Sequence, residues 1–255
     1  MIDRLIDGVR ARRGVRFTYL PTVSSTNDVA REEGYEDGDL IVADYQTAGR
    51  GQRGNGWESA AGENLTFSLV LEPDFLPAER QFYLSKAVSV ALSDLLIRHR
   101  IAARIKWPND IYVGDRKIVG TLIEHDVQGA MLSRSIAGIG LNVNQTEFGP
   151  MTVIPTSMRL ETGIERARLP LLDEFYHLFN IRYRQLREND LTEIDRVYHE
   201  RLYRRDELCA YRLPAGASFR GTIRSVAPSG ELLLEHEDGT VCRYLFKEVE
   251  YVIPR

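Results

Sequence analysis

Hydrophobic and polar positions change period several times along this chain, and each change marks an element. Arg16-Phe-Thr-Tyr-Leu20 alternates as a strand that Pro21 is expected to break. Ser25-Thr-Asn-Asp28 then sets a hydroxyl three residues ahead of an acid, the capping-box pattern, which predicts a short helix from Ser25. Segments 40–45 and 64–71 are dense in β-branched and aromatic residues, and the stretch 47–63 between them is loaded with glycine. Two strands flanking a loop are predicted. Behind Pro77, which suits a first helical position, Phe82, Ala87, Val88, Ala91, Leu92 and Leu95 recur at helical spacing as far as about Arg98. That predicts a long helix packed on a sheet.

Four further strands are predicted over 103–107, 110–113, 117–124 and 135–143, with turns at Gly114-Asp115 and near Gln128-Gly129. Their hairpin spacings imply a mixed or largely antiparallel sheet instead of repeated βαβ units. Helical periodicity returns over 171–187 and 192–203. Beyond Arg205 only short strand-like runs remain, over 209–213, 218–226, 232–235, 241–244 and 249–253, with turns at Pro228-Ser-Gly230 and Glu237-Asp-Gly239. The expected architecture is an α/β (α+β) domain over 1–205, a mixed sheet with packed helices, followed over 206–255 by a barrel of SH3-like size.

Composition narrows the chemistry. A 43% hydrophobic content over 255 residues is enough for a well-buried core. Thirty-three Lys+Arg against 37 Asp+Glu, a net −4, leave no excess to hold a polyanion by counterion release, so non-specific nucleic-acid binding is not expected. No apolar run approaches the ~20 residues of a bilayer span, and the mixed-charge start lacks a signal peptide's apolar region. A cytoplasmic protein without a membrane partner is expected. Cys209 and Cys242 read as buried thiols. The five histidines are scattered, at 99, 125, 177, 199 and 236. No Ser-His-Asp order, H-E-x-x-H or Cys/His cluster is visible, which disfavours hydrolytic triads and zinc and leaves no metal ligand to predict.

Three segments hold residues that a plain scaffold has little use for. In Gly49-Arg-Gly-Gln-Arg-Gly-Asn-Gly-Trp57 the glycines let backbone approach a ligand, and Arg50 and Arg53 add fixed positive charge. An anionic ligand is one reading; a solvent loop with incidental arginines is the other. Gly49, Gly51 and Gly54 formally match G-x-G-x-x-G, but the glycine-bearing run from Asn55 to Gly62 is poor helix material, so a dinucleotide fold is rejected. In Lys106-Trp-Pro-Asn-Asp110 the proline forces a rigid bend. Asn109 then suits a nucleobase edge and Lys106 or Asp110 a phosphate or metal, unless the segment is only a turn around a packed tryptophan. Gly120, Gly138 and Gly140 lie within predicted strands, either as bulges or as a flat floor under a ligand whose carboxylate Lys117 pairs with.

Together, Ser25-Thr-Asn27, Gln46-Thr-Ala-Gly-Arg-Gly-Gln-Arg-Gly, Lys106-Trp-Pro-Asn-Asp110, Arg116-Lys-Ile-Val-Gly120 and Gly138-Ile-Gly-Leu-Asn142 resemble the biotin protein ligases in order and spacing over nearly the whole chain. The resemblance implies a catalytic domain related to the lipoate ligases followed by an SH3-like barrel. It implies two steps: biotin and MgATP give biotinyl-5′-AMP and pyrophosphate, then a lysine of a biotin carboxyl carrier domain, of acetyl-CoA carboxylase or another biotin-dependent carboxylase, displaces AMP. It places Ser25, Thr26, Asn27 and Gln46 around the biotin head group, and Arg50, Gly51, Gln52 and Lys117 at the reacting carboxylate and phosphate. Gly120, Gly138 and Gly140 become the floor. Trp57, Asn109 and Asn142 fall on the adenine side, with Arg53 near the phosphates. Arg50 and Lys117 are the catalytic cations, because a carboxylate must approach an α-phosphate of like charge. The segment 49–56 is expected to fold over the water-labile anhydride.

Two departures from the resembled pattern carry consequences. Many biotin protein ligases have arginine where Gln52 and Asn55 stand. A neutral contact is expected to retain the intermediate less tightly, so wild type should leak more free biotinyl-AMP than Gln52→Arg in a filtration assay; equal leakage would remove the idea. Some family members carry an N-terminal helix-turn-helix, whereas here the catalytic strand is predicted by about Arg16, so no specific DNA partner is expected. Exposed sheet edges allow a homodimer. The alternatives are a lipoate or octanoate ligase or transferase, and a non-enzymatic biotin sensor.

Overall fold

The structure is a computed structural model that describes residues 15–51, 56–150 and 153–253. Seven strands form one mixed sheet in the order β1-β2-β3-β7-β6-β5-β4. These are β1 (Phe17–Val23), β2 (Leu40–Gln46), β3 (Leu65–Leu71), β4 (Ala103–Lys106), β5 (Asp110–Val113), β6 (Arg116–Gln128) and β7 (Met131–Leu141). The link from β1 to its parallel neighbour β2 carries α1 (Thr26–Ala30), and every other pairing in this sheet is antiparallel. The mixed sheet implied by the hairpin spacings is present.

Local corrections have physical causes. Pro21 does not end β1: the strand lies at the sheet edge, and its register pairs Leu20 with Ala43 and Thr22 with Tyr45, so the missing N–H is tolerated. Ser25 is the N-cap of α1, but its side chain makes no cap bond and is buried instead. The long helix α2 (Phe82–Arg98) starts later than Pro77 suggests, after a 3-10 turn over Ala78–Arg80. Pro77 bridges to Met131 and the Ala78 N–H donates to the Ala130 carbonyl, so this stretch is tied to the β6–β7 hairpin before the helix can begin.

Helices α3 (Met158–Thr162), α4 (Arg168–Arg187) and α5 (Leu191–Glu200) complete this region. Alternation along the central strand β3 shows the layering, since all seven of its residues are buried. Phe67 points to the helical layer, its ring 5.3 Å from that of Phe175 on α4. Val70 lies in a separate small cluster with Ala30 of α1, Ile41 and Ile136. One face of the sheet therefore carries α2 and α4, and the other carries α1. Helix α2, between the sheet and α4 and α5, is buried on nearly every side. Even Lys86 is fully buried, with Asp195 2.5 Å from its ammonium.

The C-terminal strands β8 (Leu208–Arg212), β9 (Ser218–Val226), β10 (Leu232–His236), β11 (Val241–Tyr244) and β12 (Glu250–Tyr251) form a separate five-stranded sheet. Its pairings are all antiparallel, in keeping with a small SH3-like domain. The buried Trp107 ties it to the first sheet: its indole N–H donates to the Gly230 carbonyl at 2.8 Å and its ring meets Phe246 edge-on at 5.9 Å.

His125 on β6 supplies a stability test. Burial lowers its pKa from 6.5 to about 4, against the opposing pull of Asp126, and Nδ1 lies 2.8 Å from the Ser135 hydroxyl. As pH falls below 6.5 the unfolded chain takes up the proton first, so stability is complete above that pH and declines toward pH 4. The slope is bounded by ~1.4 kcal/mol per pH unit. Urea midpoints of His125→Gln should lose part of this dependence between pH 6.5 and 4; parallel curves for the two proteins would refute it.

Candidate active site

On the α1 face of the sheet lies a cleft of about 710 Å³, floored by β6 and β7. Gly120 and Gly140 are direct cross-strand partners, and Gly138 pairs with Leu122 on one side and Ser68 on the other. Residues opposite one another in a ladder share a face, so the three glycines form one bare strip. The ladder runs without irregularity through them; its only register shift on β6–β7 is at Asp126/Val127. The bulge reading of these glycines is therefore excluded. What needs their bareness is visible above them. A Cβ at Gly120 would lie 2.7 Å from Trp57 Cζ3, one at Gly140 would overlap the same indole, and one at Gly138 would overlap Asn27 Oδ1.

One end of the cleft is a chain of neutral hydrogen-bonding groups. Gln46 Oε1 accepts from the Thr26 backbone N–H at 2.7 Å and from the Thr26 hydroxyl at 3.1 Å. The fully buried Ser68 hydroxyl donates to Asn27 Oδ1 at 2.6 Å and lies 2.7 Å from Thr26 Oγ1. Asn27 Nδ2 donates to Glu124 at 2.8 Å. Ser25 completes this end of the lining.

Charge flanks the cleft. Beside Asn27, Arg50 Nη2 lies 2.6 Å from Asp28 and 3.4 Å from the Glu124 oxygen that also takes the Asn27 amide. Lysines stand at the other end. Lys117 Nζ is 2.7 Å from Asp110 Oδ2 and 5.8 Å above the Trp57 ring. Lys106 Nζ stands over the rings of Tyr251 at 4.5 Å and Tyr112 at 5.3 Å. Burial pulls the Lys106 pKa below its ordinary value; Asp110 works against that shift and Lys117 adds to it. The glycine segment is closed at its neck, where Trp57 N–H donates to the Gly49 carbonyl at 2.9 Å and Arg50 bridges Gly56. Gly51 also lines the cleft, whereas Gln52 and Arg53 lie outside the described residues.

Thus Ser25, Thr26, Asn27, Gln46, Arg50, Gly51, Trp57, Lys117, Gly120, Gly138 and Gly140 converge on one cavity. Asn109 and Asn142, expected at an adenine, do not line it; both are buried behind its wall. The Asn109 carbonyl accepts from Thr121 at 2.9 Å. Asn142 is a strut: its Nδ2 donates to the Thr156 carbonyl at 2.9 Å, and Thr156 and Ile154 in turn clamp the Lys117 backbone at 2.9 and 2.8 Å. Trp57, also expected near adenine, lies across Gly120 and Gly140.

Sequence reasoning missed several lining or supporting groups. Ser68 and Thr66 carried a readable signal, because small polar residues alternate there with apolar ones inside a wholly buried strand. Phe246, Lys247, Val249, Glu250 and Tyr251 carried none; topology alone brings the C-terminal sheet to the cleft mouth. Among the described residues no cluster of His, Cys, Asp and Glu is arranged to hold a metal, and no helix is long and apolar enough to cross a membrane. Chemically, the cleft suits a slender ligand with a hydrogen-bonding head and an anionic tail delivered to Lys117.

Comparison with known proteins agrees with this description. A sequence model of the biotin/lipoate A/B protein ligase family matches residues 19–142. The bifunctional ligase/repressor BirA of Bacillus spizizenii is 31% identical over 89% of this chain and 71% of its own length. The biotin–[acetyl-CoA-carboxylase] ligase of Paracoccus denitrificans is 31% identical over 78% of this chain and 85% of its own. Among solved structures, the biotin protein ligase of Aquifex aeolicus in complex with biotin and ATP superposes with a TM-score of 0.77 at 26% identity, covering 93% of this chain and 99% of that one.

Proposed function

This chain belongs to the biotin/lipoate A/B protein ligase family, and we propose that within it the protein is an ATP-dependent biotin protein ligase acting on a biotin carboxyl carrier domain. The observation that carries this reading is the convergence, in one cleft, of the hydrogen-bonding groups of Thr26, Asn27 and Gln46, a strip of three glycines, and the cations Arg50 and Lys117. A ureido ring offers both donors and acceptors and fits the neutral end. A lipoyl ring offers this polar end no donors or acceptors in exchange for the water it displaces, so that alternative is disfavoured.

The first step joins two anions. A biotin carboxylate oxygen attacks the α-phosphorus of ATP and pyrophosphate leaves; magnesium arrives with ATP as part of that substrate. Lys117 and Arg50 offset the repulsion, and holding both reactants in one cleft supplies effective molarity. In the resting protein these cations are neutralised by Asp110, Asp28 and Glu124, so the incoming anions exchange with carboxylates already in place. Trp57, which rests on Gly120 and Gly140, swings aside in this reading so that the aliphatic chain takes its place on the strip. In the second step the acceptor lysine amine attacks the acyl carbon, AMP departs, and the amine loses a proton. No nucleophile of the enzyme is needed. Arg53 and Gln52 take positions near the phosphates and the reacting carboxylate in this reading, and the segment 49–56 shelters the anhydride.

We assign 1–205 to the catalytic domain and 206–255 to the barrel, whose Lys247, Glu250 and Tyr251 reach the cleft and assist ATP or the carrier. A cytoplasmic setting and the absence of operator binding are parts of the same proposal; a sequence-specific, salt-tolerant gel shift on biotin-operon DNA would contradict the second. Light scattering decides whether the chain forms the homodimer its sheet edges allow. The central test is incubation with labelled biotin, MgATP and a carboxyl carrier domain. Label on one carrier lysine, dependent on ATP, is the expected result; labelling by lipoate or octanoate instead of biotin would overturn it.

A further inference from the structure

We propose that Glu124 is a positioning residue of this reaction: one carboxylate oxygen orients the Asn27 amide in the head-group pocket and anchors the Arg50 guanidinium beside it. This rests on the biotin ligase reading. Glu124 lies on β6 at even spacing from Gly120 and Leu122, hence on the cleft face. Its Oε2 takes Asn27 Nδ2 at 2.8 Å and Arg50 Nη2 at 3.4 Å, while Oε1 is 3.5 Å from Arg31.

The buried amide is what argues for a role. Arg31 and Arg50 are 40% and 42% exposed, and ion pairs that exposed contribute little by themselves. Asn27 is only 3% exposed, and an amide in such a site has two orientations that present opposite polarity to a ligand. A carboxylate only accepts, so Glu124 can receive Nδ2–H and nothing else. That leaves Oδ1 toward the Ser68 hydroxyl and the space above Gly138. Because the same oxygen also touches Arg50, head-group recognition and placement of the guanidinium share one anchor. The other charged neighbour is Asp28, which holds Arg50 from α1.

Two substitutions separate the functions. Glu124→Gln retains an acceptor for Asn27 but removes the charge that anchors Arg50, whereas Glu124→Ala removes both. In biotin-dependent ATP–pyrophosphate exchange, Glu124→Gln should keep KM for biotin within about 2-fold of wild type while kcat falls about 3- to 5-fold, and Glu124→Ala should raise that KM by about 10- to 100-fold as well. A merely structural role would lower the melting temperature without this split. A rescue pair covers the case in which the alanine variant fails to fold. Asn27→Asp sets two carboxylates together and should abolish biotin binding; adding Glu124→Gln, whose amide can donate to the new carboxylate, should recover at least 10-fold of it. No recovery, or Gln and Ala variants both within 2-fold of wild type, would overturn the assignment. Exchange absent from wild type would instead remove the ligase reading and this inference with it.

Discussion

Lys117→Ala is expected to slow biotin-dependent ATP–pyrophosphate exchange about 10²- to 10³-fold, the loss seen when one preorganised transition-state donor is removed. In free energy that is ~2.7–4 kcal/mol, more than an ordinary surface ion pair contributes. The size of the effect comes from position. The backbone of Lys117 is clamped by Ile154 and Thr156, and Asn142 braces Thr156 from behind, so the ammonium is offered to the cleft without first being ordered. The alanine variant retains all of those main-chain bonds and should fold. Asp110, which loses its 2.7 Å partner, remains beside Lys106. The assay is therefore read beside a thermal melt. A decrease below 10-fold with an unchanged melting temperature would show that Arg50 alone suffices, and Lys117 would be reduced to pairing with Asp110.

How much of this was legible in the chain depends on the range of the interaction that decides each element. Strands β2 and β3 are legible from their density of β-branched and aromatic residues, which burial on both faces demands, and helix α2 from apolar residues recurring at helical spacing. The end of β1 was misread because a proline's meaning depends on whether the strand is an edge, which only the assembled sheet decides. The convergence of Ser25, Gln46, Lys117 and the glycines came from resemblance, not period. The supporting bond of Asn142 was not legible, because an asparagine that braces a loop and one that meets a nucleobase offer the same donors and acceptors. Glu124 was invisible, since an acid near the end of a long strand reads as a solvent contact until Asn27 is brought opposite it.

Gly138→Ala should raise KM for biotin about 5- to 150-fold, the span of the ~1–3 kcal/mol that overfilling a packed site costs. The backbone does not forbid the change, because no left-handed φ occurs at this position; the penalty is one of space. The new methyl would overlap Asn27 Oδ1 and lie 2.9 Å from Cγ and 3.1 Å from Nδ2. Asn27 has no room to retreat, since Ser68 holds one end of its amide at 2.6 Å and Glu124 the other at 2.8 Å. Gly140→Ala tests a different property. Its methyl meets the indole of Trp57, a partly exposed side chain on a loop, which can swing aside at lower cost. The expected order of biotin KM is therefore Gly138→Ala above Gly140→Ala, with Gly149→Ala, where nothing stands within 4 Å, at the wild-type value. Exchange kinetics at saturating MgATP give the comparison directly. If Gly140→Ala proved the more damaging, Trp57 would be a fixed wall, and the head-group end would have slack that the bonds to Asn27 deny.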